Sequence, residues 1–305
     1  MSQALILFRS TNFDGNNKLV YNVPQGLSLK NKEVALHSFS FYNSFFNISA
    51  ALGNNKVDLI FPIFSTTVAN TYTLQTFTWT IQDGFYSFEQ LNAALQQFMI
   101  TNKLYLFNAQ TSKYLYFYKI DVNTVQYAVQ LQFFNLPTAA QATAINFAKV
   151  SGSPLVLNIS TGVNPLQVAP QISFNEAFGK VIGFNASTLP ATIISKYLAT
   201  YDVGAAAAGY LSIKSPCVNL VDCILLRCNI SNNANSIPND LMSVTPISSS
   251  YGAITQYVAN SLLYVPCSQT TVTKIEVVMC DQNLNPILQR DAEITMVLSI
   301  RDARN

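Results

Sequence analysis

Glu293-Ile294-Thr295-Met296-Val297-Leu298-Ser299-Ile300-Arg301 decides the fold. In an extended chain Ile294, Met296, Leu298 and Ile300 point one way. Glu293, Thr295, Val297, Ser299 and Arg301 point the other, because successive side chains of a strand alternate between faces. The same period precedes it in Lys274-Ile275-Glu276-Val277-Val278-Met279, where Ile275, Val277 and Met279 alternate with Lys274, Glu276 and Val278. Asp281-Gln282-Asn283-Leu284-Asn285-Pro286 lies between the two and is built of turn formers. The pattern predicts an antiparallel hairpin with one face in a core.

Working outward, the same alternation recurs. Phe77, Trp79 and Ile81 oppose Thr76, Thr78 and Thr80 within residues 72–81. Residues 34–42 and 127–134 read as strands, and Tyr114, Tyr116 and Tyr118 as one face of a short one. Residues 221–230 are apolar on both faces, Ile224, Leu226, Cys228 and Ile230 against Val221, Cys223 and Leu225, which predicts a central strand or one covered by a neighbour. One segment has the helical period: Phe88, Leu91, Leu95 and Phe98 share a face from Ser87 to about Thr101. Ser87 with Gln90 three residues on forms a capping box. A second short helix is expected from Asn175 to about Val181, ending near Gly183. Gly204-Ala205-Ala206-Ala207-Ala208-Gly209 reads as a surface loop. Many strands beside few helices predict an all-β antiparallel sandwich, a single jelly roll with one amphipathic helix. The expected domain is 1–305, with a loop elaboration or small insertion at about 103–171. No long internal repeat suggests a tandem double jelly roll.

Half of the 305 residues are hydrophobic and only 10% are charged, against about 25% in ordinary soluble domains. Residues 122–175 carry one charge, Lys149, and residues 241–273 carry none. Two readings stand for these polar, uncharged stretches. They form loops and turns, or they form subunit contacts from which charge is excluded. Net charge is +2 with no basic stripe, Arg301 and Arg304 being the densest pair, so direct nucleic-acid binding is not expected. No run is long enough for a membrane span, and Met1-Ser2-Gln3-Ala4-Leu5-Ile6-Leu7-Phe8 lacks a signal peptide's basic start. Five cysteines, an odd number, then predict reduced thiols. Sequons begin at Asn47, Asn158, Asn185 and Asn229, and none is read as glycosylated.

The ingredients of catalysis are sparse. His37, the only histidine, sits in a strand pattern, and no cysteine opens a helix where its thiolate would be favoured. The Cys217, Cys223 and Cys228 spacing does not match a structural zinc site. No phosphate-binding glycine loop is present. Asp291 and Glu293 are the carboxylate pair to consider, and solvated charge at a hairpin edge explains them; Asp222 and Glu276 also lie in predicted strands, which sequence does not pair. The tyrosine face at Tyr114, Tyr116 and Tyr118 is either packed sheet surface or a platform for sugar or receptor. Catalytic, cofactor-binding and metal residues are therefore all expected to be none.

Several segments, in order, resemble the penton (minor capsid) proteins of virophages and Maverick/Polinton-type elements, of the Mavirus kind. They are Leu29-Lys30-Asn31-Lys32-Glu33-Val34-Ala35-Leu36 with the aromatic run at 39–46, and Ile81-Gln82-Asp83-Gly84-Phe85-Tyr86-Ser87 before the helix. Next come Ile172-Ser173-Phe174 through Ile182-Gly183-Phe184, then residues 221–230, then 275–281 with the strand ending at Arg301. Residues 102–171 look longer than that family's minimum. The resemblance implies a homopentamer at the five-fold vertices of an icosahedral dsDNA virus capsid, meeting capsomers of the major capsid protein. It implies no cofactor and no reaction, with assembly in the host cytoplasm and residence in the virion. The competing readings are a receptor- or carbohydrate-binding spike-type module and a jelly-roll subunit of the major capsomer.

Overall fold

A computed structural model describes residues 3–14, 18–287 and 289–303, which leaves Arg304 outside the described residues. The chain divides into two compact units, one made of Met1–Phe46 with Asn219–Asn305 and one of Asn47–Val218. The elaboration expected at about 103–171 lies within the second, which begins earlier and ends later.

The first unit holds eight principal strands. They are β1 (Gln3–Arg9), β2 (Lys18–Ser28), β3 (Lys32–Tyr42), β4 (Cys223–Cys228), β5 (Leu241–Pro246), β6 (Ile254–Val258), β7 (Thr271–Cys280) and β8 (Ile294–Asp302). One antiparallel sheet runs β1-β8-β3-β6, with the short strand Val265–Pro266 also on β3; the other runs β5-β4-β7-β2. First therefore pairs with last, second with seventh, third with sixth and fourth with fifth. That nesting is the jelly roll: a long antiparallel ribbon folded over so that its strands fall into two facing sheets. A single core joins both sheets. Ile294, Met296, Leu298 and Ile300 meet Ile275, Val277, Met279, Ile224, Leu226 and Cys228 there, which is the set the alternation selects.

The hairpin expectation fails. β7 and β8 are not a hairpin: β8 bonds to β1 and β3, and β7 to β2 and β4. Alternation tells which face of a strand is buried, but not which strand lies beside it. The turn-rich link at 281–286 carries the chain from one sheet to the other, closing on Asp281, whose carboxylate accepts from the Asn283 and Asn285 amides at 2.8 Å each. The central position read for β4 holds, since it bonds to β5 on one side and β7 on the other.

The second unit is also mostly strand. A four-stranded sheet runs Ser187–Leu189, Gln171–Phe174, Lys56–Phe64, Tyr72–Thr80, and a three-stranded one Ala208–Leu211, Ala128–Phe133, Tyr118–Asn123. Ala208 and Gly209 of the alanine-rich stretch are thus strand rather than loop. Helix α1 (Phe88–Thr101) starts at Ser87 with both halves of the capping box formed, and buries Leu91, Leu95 and Met99. Phe98 is only partly buried, so the inward face is rotated one residue from the expected one. Two short helices follow, α2 (Ala139–Ala144) and α3 (Glu176–Ile182). α3 is capped by Asn175 and closed by Gly183 at φ 80°, where a Cβ would lie 2.3 Å from the Lys214 carbonyl oxygen. The core is aromatic, with Phe61 edge-on to Phe77, Phe117 and Tyr118.

Candidate interaction surface

The residues that chemistry would need are held apart. His37 is the extra residue of a bulge in β3, since Leu36 faces Leu298 and Ser38 faces Val297. Its Nδ1 is buried with no hydrogen-bond partner among the described residues. Burial pushes the Cys228 thiol up to about 12 and Cys267 up to about 11, and raises Cys223 and Cys280 as well. A nucleophilic cysteine needs the opposite shift. Cys223 and Cys228 occupy the two ends of β4, and their odd spacing puts them on opposite faces, so one ion cannot reach both. No group of metal-ligating side chains forms among the described residues, nor is any of their helices long and apolar enough to cross a membrane.

The carboxylates do not converge either. Asp291 accepts the Glu293 amide in the segment before β8. Asp222 precedes β4, whereas Glu276 donates its amide N–H to Asn229 Oδ1 past the far end of that strand and pairs with Lys274. Arg301 is likewise committed. Its Nε and Nη2 donate to Glu33 Oε2 at 3.0 and 2.9 Å, and its guanidinium lies 3.5 Å over the Tyr264 ring.

The two charge-poor stretches have different physical origins. Residues 122–175 supply much of an interior. Val129, Leu131, Phe133, Leu155 and Val168 are buried, together with Asn135, Thr138, Asn158, Gln167 and Gln171. Most of these polar side chains are hydrogen-bonded, the Asn135 Oδ1 being left without a partner among the described residues. Asn158 is the clearest: its Nδ2 donates to Asn70 Oδ1 and the Leu166 carbonyl at 2.7 and 2.8 Å, while its Oδ1 accepts from the Asn70 and Ser160 amides at 3.0 and 3.1 Å. Residues 241–273 behave differently. They supply β5 and β6 and expose Val244, Ile254, Val258 and Leu263.

β6 forms one edge of the sheet whose other edge, β1, exposes Leu5 and Leu7. The register lines up Leu7, Val297, Ser38 and Val258 across all four strands. Arg9, Thr295, Ser40 and Gln256 form the next row, its one charge being Arg9 at the end of the edge strand. The outer face of this sheet is therefore apolar or uncharged through its middle, with charge kept to its ends at Arg9, Glu33 and Arg301. Low charge and exposed apolar side chains in one patch are the composition of a protein–protein contact.

The tyrosine face divides. The chain breaks after Lys113–Leu115, so Tyr118 begins another strand and is buried, its hydroxyl donating to the Gln171 carbonyl at 2.8 Å. Tyr114 and Tyr116 remain together, their rings nearly parallel at 5.9 Å. Tyr105 and Phe107 join them from the neighbouring strand, 5.3 and 5.2 Å from Tyr114. Tyr114 is exposed and the other three are half-buried.

Comparison with known proteins adds a structural likeness. The crystal structure of the mavirus penton protein superposes with a TM-score of 0.42 at 8% identity, over 99% of each chain. No protein-family model matches the chain, and no curated protein does. The fold assignment rests on the strand order and not on this likeness.

Sequence reading placed the two inner strands of this sheet, β3 and β8, but neither edge strand, β1 or β6, and so not the face itself. Leu5 and Leu7 lie in the apolar run at the N-terminus, and Ile254 and Val258 some 250 residues later. Only the pairing of β1 with β8 and of β3 with β6 brings them onto one surface. The single usable signal was the absence of charge from 241–273.

Proposed function

We propose that this chain is a structural capsid protein: a penton (minor capsid) subunit that forms homopentamers at the five-fold vertices of an icosahedral dsDNA virus of the virophage or Maverick/Polinton type. The observation that carries the reading is a complete jelly roll whose β1-β8-β3-β6 sheet has an outer face that is partly apolar and uncharged through its middle. Jelly rolls recur in capsids, lectins and cupins. A cupin or other enzyme needs a site, and the histidine, thiols and carboxylates here are dispersed. In this reading the chain performs no reaction and uses no cofactor, and function is geometry. Head-to-tail contacts between neighbouring subunits close a ring when the rotation per subunit is about 72°. The number five comes from the sequence resemblance. The partners are further copies of the chain and capsomers of the major capsid protein, with no direct contact to nucleic acid. The location is the virion, after assembly in the host cytoplasm.

The test is native mass spectrometry of the pure protein, followed by imaging of particles assembled with the major capsid protein. Pentamers, or five copies around each vertex, support the proposal. Density for the chain only at three-fold or quasi-six-fold capsomers refutes it. A second reading, a receptor- or carbohydrate-binding spike-type module, is favoured by the cluster of Tyr105, Phe107, Tyr114 and Tyr116. In that case Tyr114→Ala abolishes binding to a glycan array while leaving assembly intact.

A further inference from the structure

The strand Tyr72–Thr80 is the outermost of its sheet, bonded to Lys56–Phe64 on one side. Which of its backbone groups face outward follows from its partner. Ile60 and Phe64 turn away from it, the Ile60 carbonyl toward Tyr118 and the Phe64 amide toward Val156, and Pro62, in phase with them, has no amide to offer. The bonded partners are then Val57, Leu59, Phe61 and Ile63, opposite Trp79, Phe77, Gln75 and Thr73. The ladder continues in phase at both ends, where the Ser65 amide donates to the Thr71 carbonyl and the Ile81 amide to the Asn55 carbonyl. Tyr72, Leu74, Thr76, Thr78 and Thr80 therefore direct both N–H and C=O to the free edge. Among the described residues no strand pairs there.

Natural edges of this length are normally blunted by lysine, proline, a bulge or a covering segment, because a bare row of amides and carbonyls templates another strand. This edge has none of these. Its register with Lys56–Phe64 is unbroken over nine residues, residues 65–82 contain no charge and no proline, and Leu74, Thr76 and Thr78 are exposed. The five outward residues are also symmetric about Thr76. An antiparallel second copy of the same strand sets Thr76 against Thr76, Leu74 against Thr78 and Tyr72 against Thr80. Every outward amide then meets a carbonyl, closing about ten hydrogen bonds with no like charges opposed.

We infer that two copies of this chain join through Tyr72–Thr80 in an antiparallel strand pair with a two-fold axis at Thr76. The two four-stranded sheets become one of eight strands, an isologous contact. The inference is independent of the capsid reading. Two-fold pairing yields dimers of single chains or pairs of rings, whereas a ring alone needs none of it.

The register gives the experiment its specificity. In full-length protein, Thr76→Cys places two thiols directly across the axis, at the ~5.5 Å Cα separation that a disulfide spans. Leu74→Cys alone puts them four residues apart, about 13 Å, beyond reach. Mild oxidation is expected to give at least about tenfold more covalent dimer from Thr76→Cys than from Leu74→Cys, with peptide mapping assigning the 76–76 link. The Leu74→Cys/Thr78→Cys pair restores the dimer. Thr76→Lys opposes two ammonium groups and is expected to raise the dissociation constant, read by native mass spectrometry, about tenfold or more. Unchanged Trp79 fluorescence checks that the variants fold. Equal cross-linking of the two single-cysteine variants overturns the inference, as does capture of this edge by a different protein in place of a second copy. Pentamers that persist through Thr76→Lys while dimers vanish separate this contact from the ring.

Discussion

Asn158→Ala tests whether the uncharged middle of the chain is interior rather than surface. The side chain is 1% exposed and makes four hydrogen bonds. Two of its partners can recover. Asn70 is only half-buried, and its Oδ1 still accepts from the Leu166 amide at 3.1 Å. The Leu166 carbonyl and the Ser160 amide belong to buried residues and are left without this partner. A buried polar group stripped of its partner costs ~1–3 kcal/mol, so the loss should be about 2–6 kcal/mol. The chain's one tryptophan, Trp79, lies in the same unit, so urea unfolding followed by its fluorescence reads the relevant transition. A shift below about 0.5 kcal/mol, the range of ordinary surface substitutions, would refute the reasoning. It would also reopen Asn158-Ile159-Ser160 as an exposed sequon, since an asparagine carrying a glycan cannot also spend both ends of its amide inside the fold.

Two further outcomes follow from single groups. Burial holds the Cys228 thiol at about 12, above the 9.0 of a free thiol, so the unfolded chain releases this proton first. Stability is therefore fully present below pH 9 and falls toward pH 12, by up to about 1.4 kcal/mol per pH unit, and Cys228→Ala should flatten that decline in calorimetry; an unchanged slope would contradict it. Arg301→Lys keeps the charge but loses the second N–H on Glu33 and the flat stacking on Tyr264. It should lower stability by about 1–2 kcal/mol in thermal melts, with DNA retention on a column unaltered.

What the sequence disclosed was local, for a physical reason. The capping box of Ser87 and Gln90 and the closure of α3 at Gly183 are set within a few residues, and both appear in the structure as read. The inward faces of β7 and β8 are set by a period of two and were equally legible. Tyr118 was misassigned because three tyrosines at even spacing satisfy that period whether or not the chain continues as one strand, and it does not. The edge at Tyr72–Thr80 was legible as a strand but not as an edge. Being outermost is a property of the sheet, decided by what fails to pair with it. The same limit covers the site. Polar stretches without charge look alike in sequence, and only burial separates 122–175, where amides satisfy one another inside, from 241–273, where apolar side chains meet solvent.

The nesting of the jelly roll explains why its interaction face is also its least local feature. β1 and β8 lie side by side, so the sheet carrying Leu5, Leu7 and Val258 cannot be completed until residues 294–302 are available. Such pairings must overcome the loop-closure entropy of nearly the whole chain before any contact offsets it. The pairs inside Asn47–Val218 close within that unit, and its strands Lys56–Phe64 and Tyr72–Thr80 are neighbours in sequence. Closure is therefore expected to run from the middle unit to the sandwich. In that order the outer face of the β1-β8-β3-β6 sheet forms last, so its apolar patch does not exist while the core behind it is still open. Under the proposed capsid role, such an order would leave the contact surface to the strands that pair last.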